Sequence, residues 1–408
     1  MTTRPIRIIH SSDWHIGHEL HGHDRAEEHD AFFAWLIGEL DRREADALVV
    51  TGDVFDVANP SVPAMERFYR FLREATSACA GLQIVVIGGN HDSAARINLP
   101  GALLGRGRVH LVGCLPRIER VLDFNRLLVP LLGSDGTTAA WVAAVPYCRP
   151  GDLGQGDLTS LYGEVLAAAE VRCAGLPLVL TGHLHVAGGD VSSDSERRIV
   201  IGGEEAQAAN LFDARAAYVA LGHLHRPQNV KGSTMIRYAG SPFPMSASER
   251  GYKHSIAVVD LAPEGVHVEE VPIPRLAPFL TLPESGAASI DKVEALLAGF
   301  DFGVPLTPGA QPFVEVSVLL DRPEHGIAAR VAAALADKPV RLTRVQPVYP
   351  DGGGGGGVIG ARTEALAELD HEQVFTELHR LRHGGEPEPD LAKAFEQLLI
   401  EVQSEDVA

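Results

Sequence analysis

Short apolar runs rich in β-branched residues recur along the chain, and each breaks off into a polar, glycine-containing turn. They are IRIIHSSDWH from Ile6, ALVVTGDVFD from Ala47, QIVVIGGNHD from Gln83, LPLVLTGHLH from Leu176 and YVALGHLH from Tyr218. Runs this uniformly apolar predict strands buried on both faces. Between the early runs, AFFAWLIGELDRR from Ala31 and AMERFYRFLREA from Ala64 space their apolar residues three and four apart, which predicts helices. The alternation predicts an α/β layered sheet. Its polar clusters all fall where strands end, the place where open α/β sheets hold ligands.

After HSIAVVDLAPEGVHVEEVPIP, which begins at His254, the texture changes. FVEVSVLL, IAARVAAALAD and VRLTRVQPV read as a small strand–helix–strand unit without a His or Asp cluster. A main domain over 1–274 and a small α/β domain over 275–350 are expected. The glycine run at Asp351–Gly357 reads as a flexible tether, the linker being 351–360. An acidic, helix-rich tail over 361–408 carries two apolar stripes: Leu366, Leu369, Leu378 and Leu381, then Leu391, Phe395, Leu398 and Val402. It reads as a partner-binding tail, the alternative being two helices folded back on the body.

Composition narrows the class. A chain of 408 residues with 45% hydrophobic content is a globular protein with room for two domains. Its apolar runs are too short for a signal-peptide core or a membrane span, so a soluble, cytoplasmic protein is expected. Cys79, Cys114, Cys148 and Cys173 stand far apart and read as reduced thiols. A formal charge of −19 argues against a self-sufficient nucleic-acid binder. If nucleic acid is the substrate, metal ions or a basic partner must compensate. Arg106, Arg108, Arg117, Arg120, Arg149 and Arg226 could touch phosphates, yet scattered arginines read as solvated surface.

The strand-end residues are Asp13 and His15, Asp53 and Asp56, Asn90, His91 and Asp92, His183, and His223 with His225. Hard oxygen ligands mixed with imidazole suit Mn²⁺, Fe²⁺ or Zn²⁺ better than an all-oxygen Mg²⁺ or Ca²⁺ site. Taken singly, each motif could be a turn or an N-cap. Five of them, each directly after a buried strand, point to one site.

The succession D-x-H, G-D-x-x-D, G-N-H-D, G-H, G-H-x-H from Asp13 to His225 resembles the calcineurin-like metallophosphoesterases. More narrowly, SSDWHIG, TGDVFD, GGNHDS, TGHLHVAGG, SERRIVIGGEEA, LGHLHRPQ and YAGSP resemble the SbcD-type nuclease subunits over the first ~260 residues. The second domain and tail agree with that group in layout. The resemblance implies an α/β, layered β-sandwich flanked by helices, with a small α+β capping domain and a helical C-terminal tail. It implies two divalent metal ions, Mn²⁺ foremost. Asp13, His15, Asp53 and His225 would hold one, and Asp53, Asn90, His183 and His223 the other, with Asp53 as the bridge. The two GHLH tetrapeptides are therefore unequal contributors to one site and no repeat.

His91 would protonate or steady the leaving oxygen, with the Asp56 carboxylate favouring its imidazolium form. Asp92 reads as a turn acceptor, His185 as structural, and the ligand-rich HGHDR at His21–Arg25 matches no ligand position of the family. The implied activity is exonuclease action at DNA ends and endonuclease action on hairpins and single strands, in repair and recombination. The implied partners are DNA and an SbcC-type coiled-coil ABC ATPase, with the chain as a homodimer within a heterotetramer at the nucleoid. The rival readings are an enzyme of small phosphoesters or cyclic nucleotides, and a non-catalytic subunit bridging DNA ends.

Overall fold

The computed structural model describes residues 4–101, 107–154, 156–192, 206–262, 265–305, 307–322 and 324–349, with Phe375, His379, Arg380, Leu391 and Phe395. Two compact units divide the chain, Met1–Tyr349 and Pro350–Ala408. The first begins with β1 (Ile6–Ser11), α1 (Ala26–Arg42), β2 (Ala47–Thr51), α2 (Val62–Ala78), β3 (Gln83–Ile87) and β4 (Val109–Val112). It continues through β5 (Leu128–Leu132), β6 (Thr138–Ala143), α3 (Leu158–Cys173), β7 (Leu178–His183), β8 (Tyr218–Gly222), β9 (Gln228–Val230) and β10 (Met235–Tyr238). The hairpin β11 (Ser255–Ala262) and β12 (Gly265–Pro272) returns to the start.

Two six-stranded sheets result, in the orders β12-β11-β1-β2-β3-β4 and β9-β10-β8-β7-β6-β5. Within them β1 to β4 are parallel, as are β6, β7, β8 and β10; the antiparallel strands lie outside these blocks. Alternation along each strand explains the apolar runs. Ile6, Ile8, Val49 and Val85 face Val142, Val179, Tyr218 and Ala220 of the opposite sheet. The intervening Ile9, Leu48, Val50 and Ile84 pack on Phe32 and Leu36 of α1 and Phe68 and Phe71 of α2. On the far face, Leu161 and Val165 of α3 cover Leu180 and Val219.

The helices start earlier than their apolar spacing suggests. Buried Arg25, paired with Glu28 at 2.7 Å, precedes α1, and Ser61 caps α2 by accepting from the Ala64 N–H. Trp14 is fully buried among Phe32, Phe33, Phe68 and Phe71, and its Nε1–H donates to Ser11 Oγ at 2.8 Å. It anchors the turn between Asp13 and His15.

Beyond the sandwich, β13 (Phe279–Leu282), α4 (Ile290–Gly299), β14 (Phe313–Leu319), α5 (Ile327–Leu335) and β15 (Arg341–Val348) build a parallel three-stranded sheet in the order β13-β14-β15. Sequence spacing revealed β14, α5 and β15. The four-residue β13, flanked by prolines, carried too little pattern to register. Val293 and Leu297 of α4 and Val331 of α5 close a separate core on Val314, Val316 and Val318. Arg341 stacks on Phe313 at 3.6 Å and donates to the Asp24 carbonyl, while His23 meets the Leu342 carbonyl at 2.9 Å. The HGHDR segment thus docks this sheet. In the second unit the rings of Phe375 and Phe395 stack at 4.2 Å. The glycine tether and Leu366, Leu369, Leu378, Leu381, Leu398 and Val402 lie outside the described residues.

A polar contact crosses the middle of the sandwich. His10 Nδ1 lies 3.0 Å from Tyr218 Oη and its Nε2 3.0 Å from Thr51 Oγ1, all fully buried. Burial, helped by Arg237, pushes the His10 pKa down to about 3. A folded-state value below the unfolded one of about 6.5 means that the neutral ring's contribution is complete above pH 6.5 and is lost as pH falls toward 3. Between pH 6.5 and 4.5 the loss through His10 is about 2 kcal/mol. In chelator, His10→Gln should be about 1–3 kcal/mol less stable at pH 7.5. Its stability should also fall less steeply with acid, by about one proton. Denaturant titrations across pH 4–7.5 measure both, and parallel curves for the two proteins would refute it.

Candidate metal centre

The turns after β1 and β2 run side by side. The Asp13 N–H donates to the Gly52 carbonyl at 3.1 Å and the His15 N–H to the Asp53 carbonyl at 3.0 Å. Parallel pairing sets His183 opposite Gly222, hence beside His223. The His183 Nδ1–H then donates to the Thr51 carbonyl at 2.8 Å, joining the two sheets at the site. Asp13, His15, Asp53 and His223 all have left-handed backbone, φ 51°, 44°, 47° and 102°. Non-glycine residues hold such conformations at roughly 1–3 kcal/mol each, and where they cluster the surrounding structure is enforcing them. Two glycines permit the close approach. A Cβ on Gly89 would fall on the Asp53 carboxylate, and one on Gly222 on the Thr51 carbonyl.

The side chains converge. Asp53 Oδ2 lies 3.3 Å from His183 Nε2 and 3.7 Å from His15 Nε2, while its Oδ1 accepts from the His91 N–H at 2.9 Å. Asn90 Oδ1 lies 2.8 Å from His183 Nε2 and 3.2 Å from His223 Nδ1, and Asp13 Oδ1 accepts from the His223 N–H at 2.9 Å. Three sets have ligand atoms within 4.8 Å of one another: Asp13, His15 and His225; His15, Asp53 and His91; Asp13, Asp53 and His183. Asp13, His15, Asp53, His183 and His225 are buried, while Asn90, His91 and His223 border the open side. Asp13 Oδ2 and His15 Nε2 are buried with no hydrogen-bond partner. An orphaned carboxylate oxygen beside an orphaned imidazole nitrogen is costly in a protein interior and natural around a cation. The residues fit divalent metal ions.

The electrostatics agree. Burial opposes ionisation of Asp53, yet His183, by charge and hydrogen bond, with His15 and His91, holds its carboxyl well below the ordinary range. Burial likewise opposes a charge on His183, but Asp53 and then Asp13 raise it to about 9. Asp53 draws positive charge into the site, while burial raises the Asp13 carboxyl, and a cation bound there would displace the His183 proton. His223 goes the other way, to about 3, through burial and the charge of His183.

Behind the cluster, oxygen acceptors hold the Nδ1 of three histidines and leave Nε2 for the site. They are the Thr51 carbonyl for His183, Asp56 Oδ1 for His15 at 3.3 Å and Glu249 Oε1 for His225 at 2.8 Å. The Asp56 carboxylate was expected against His91; the structure turns it to His15 instead. His91 Nδ1 meets the Asp56 backbone carbonyl at 2.7 Å, because the turn carrying Asp56 presents its main chain to that ring. Burial then lowers the His91 pKa, with Asp53 and, after it, the carbonyl and carboxylate of Asp56 working against it, so Asp56 still favours the charged ring. Neither Glu249 nor Thr51 carried a sequence signal, since their partners lie 24 and 132 residues away.

Asp92 accepts from the N–H groups of Gly89, Val54 and Phe55, the backbone role its place in the turn suggested. The His185 carbonyl pairs with the Gln207 N–H. Among the arginines, Arg108 donates to the Thr76 and Cys79 carbonyls, Arg117 to those of Arg120 and Asp152, and Arg226 pairs with Asp190 at 2.6 Å. Arg106 lies outside the described residues. All four cysteines are free thiols. No helix among the described residues is long and apolar enough to cross a membrane.

Residues 6–227 match the family model of the calcineurin-like phosphoesterases, and residues 275–382 match that of the type 5 capsule protein repressor C-terminal domain. The SbcD component of the SbcCD nuclease of Rhodobacter capsulatus is 41% identical over 362 residues, which cover 85% of this chain and 88% of its own. Its counterpart in Escherichia coli K12 is 29% identical over 388 residues, covering 91% and 92%, and that in Bacillus subtilis 37% over 273, covering 63% and 67%. With the strand-end donors brought to one place and more than half of the chain matched, this protein belongs to the calcineurin-like phosphoesterase family, and within it to the SbcD-type nuclease subunits.

Proposed function

We propose that this chain is the metal-dependent nuclease subunit of an SbcCD-type complex and hydrolyses DNA phosphodiesters at a pair of divalent cations, Mn²⁺ foremost. The observation that carries this reading is the pair of orphaned buried atoms, Asp13 Oδ2 and His15 Nε2, beside the Asp53 carboxylate. Asp13, His15, Asp53 and His225 would hold one ion and Asp53, Asn90, His183 and His223 the other. Bound there, the ions would supply Lewis-acid polarisation of the phosphodiester and neutralise charge developing on its oxygens. They would also meet a need of a chain with net charge −19, which must bring a polyanion to its own surface.

The side chains do the rest. Asp53 aligns His91 by accepting its N–H, and the Asp56 carbonyl fixes His91 Nδ1, so Nε2 is the atom left to steady or protonate the leaving oxygen. Asp56 itself orients His15 through its carboxylate. The domain division proposed is a nuclease domain over 1–274, a small capping domain over 275–350 and a tethered tail over 361–408. The tail's leucine stripes suit the helices of an SbcC-type coiled-coil ABC ATPase. Action on duplex ends and hairpins, a homodimer within a heterotetramer and a place at the nucleoid complete the proposal. An enzyme of small phosphoesters would use the same cations but has little use for a second domain and tail.

Asp53→Asn should remove activity on duplex DNA to below detection, more completely than His15→Ala, because its carboxylate serves both ions. Near-normal Mn²⁺-dependent rates for Asp53→Asn would overturn the two-ion assignment. By contrast, His91→Leu should keep both metal equivalents while its kcat falls roughly 10²–10⁴-fold. Metal analysis of the purified variant decides it, since loss of a full equivalent makes His91 a ligand.

Truncation after Pro350 should leave hydrolysis of bis(p-nitrophenyl) phosphate intact while abolishing co-purification with the ATPase. Undiminished co-purification by the truncated chain would place the interface elsewhere.

A further inference from the structure

Glu249 lies in a short 3₁₀ turn, Ala247–Glu249, and its carboxylate has no exposure. Its Oε1 accepts from His225 Nδ1 at 2.8 Å and its Oε2 accepts from the Met245 backbone N–H at 2.7 Å. Burying a carboxylate is costly unless each oxygen is engaged, and here both are. Closing the Met245 turn alone would not require a charge, since a neutral oxygen can also accept from one N–H. The group that benefits from a charged acceptor is the imidazole. A carboxylate on Nδ1 fixes the tautomer, stops the ring from rotating and makes Nε2 a stronger donor to a cation. His225 is buried, edge-on to the His15 ring at 5.1 Å, and shares a ligand set with Asp13 and His15.

We infer that Glu249 is a positioning residue of the metal centre. It holds His225 as the Nδ1–H tautomer with Nε2 turned to the Asp13–His15 group, and so sets the affinity of one of the two cations. The inference rests on the ligand set proposed above.

The test is calorimetric titration of full-length, metal-free protein with Mn²⁺, for wild type, His225→Ala, Glu249→Ala, Glu249→Gln and the double variant His225→Ala/Glu249→Ala. Glu249→Ala should weaken one ion by roughly 10–100-fold and leave the other unchanged. Glu249→Gln keeps the volume and an oxygen for His225, so it should fall between Glu249→Ala and wild type. The double variant should bind no more weakly than His225→Ala, because the inferred effect of Glu249 on the ion runs through that ring. Nitrogen-15 histidine spectra should show His225 as one tautomer in wild type and as a mixture in Glu249→Ala, a readout that a packing role would not move.

Wild-type isotherms for both Glu249 variants would overturn the inference, as would further weakening in the double variant. Should Glu249→Ala not fold, Glu249→Gln carries the test alone. If His225→Ala itself keeps both ions, the ligand assignment falls first. If it loses one while the Glu249 variants bind normally, only the inference falls.

Discussion

Two carboxylates, Asp13 and Asp53, are buried where adjacent strands end, and the need to match their charge organises everything around them. In a low-dielectric interior an unmatched carboxylate is among the most expensive groups a fold can hold. The histidines answer that need. His183 leans on Asp53 strongly enough to be raised to about 9, and Asp53 in turn is held well below the carboxylate range. A site with this balance has a built-in preference for cations, because any cation that enters replaces a proton the protein was already obliged to keep.

Holding such a cluster together requires rigidity elsewhere. Four of its residues have left-handed backbone, which the chain adopts only because neighbouring elements determine the turns. Trp14, locked between four phenylalanines of the helical layer, fixes the turn that presents Asp13 and His15 to one ligand set. On the other side, the Thr51 carbonyl ties His183 of one sheet to the strand end of the other. The His10 bridge lies just behind it and uses the same threonine through its hydroxyl. The apolar sandwich therefore serves the site directly: its two sheets each bring part of the ligand set, and their packing sets the distance between the parts.

The chain as a whole is acidic, and of the arginines named from sequence Arg108, Arg117 and Arg226 are engaged with protein acceptors. The surface alone is a poor attractor of phosphates. On the proposed function, cations at the site and a basic partner would be the physical means of engaging nucleic acid.

Much was legible in the sequence, for a physical reason. A buried strand ending in a glycine turn places its next polar residues at a sheet edge whatever the rest of the chain does. Asp13, His15, Asp53, Asp56, Asn90, His91, Asp92, His183, His223 and His225 could therefore be collected at strand ends before any geometry was known. The family resemblance alone divided them into ligands and others, and the helices α1 and α2 followed from spacing alone. The pairing of those residues with what lies behind them was not legible. The Asp56 carboxylate turns to His15 while its carbonyl takes His91, and Glu249 stands behind His225. The short β13 also escaped, because four residues carry no period of their own. Local pattern determined which residues reach the strand ends, since that depends on neighbours a few positions away. Only the tertiary structure decided which oxygen faces which nitrogen, because those contacts join segments 24 to 210 residues apart and depend on how two sheets pack.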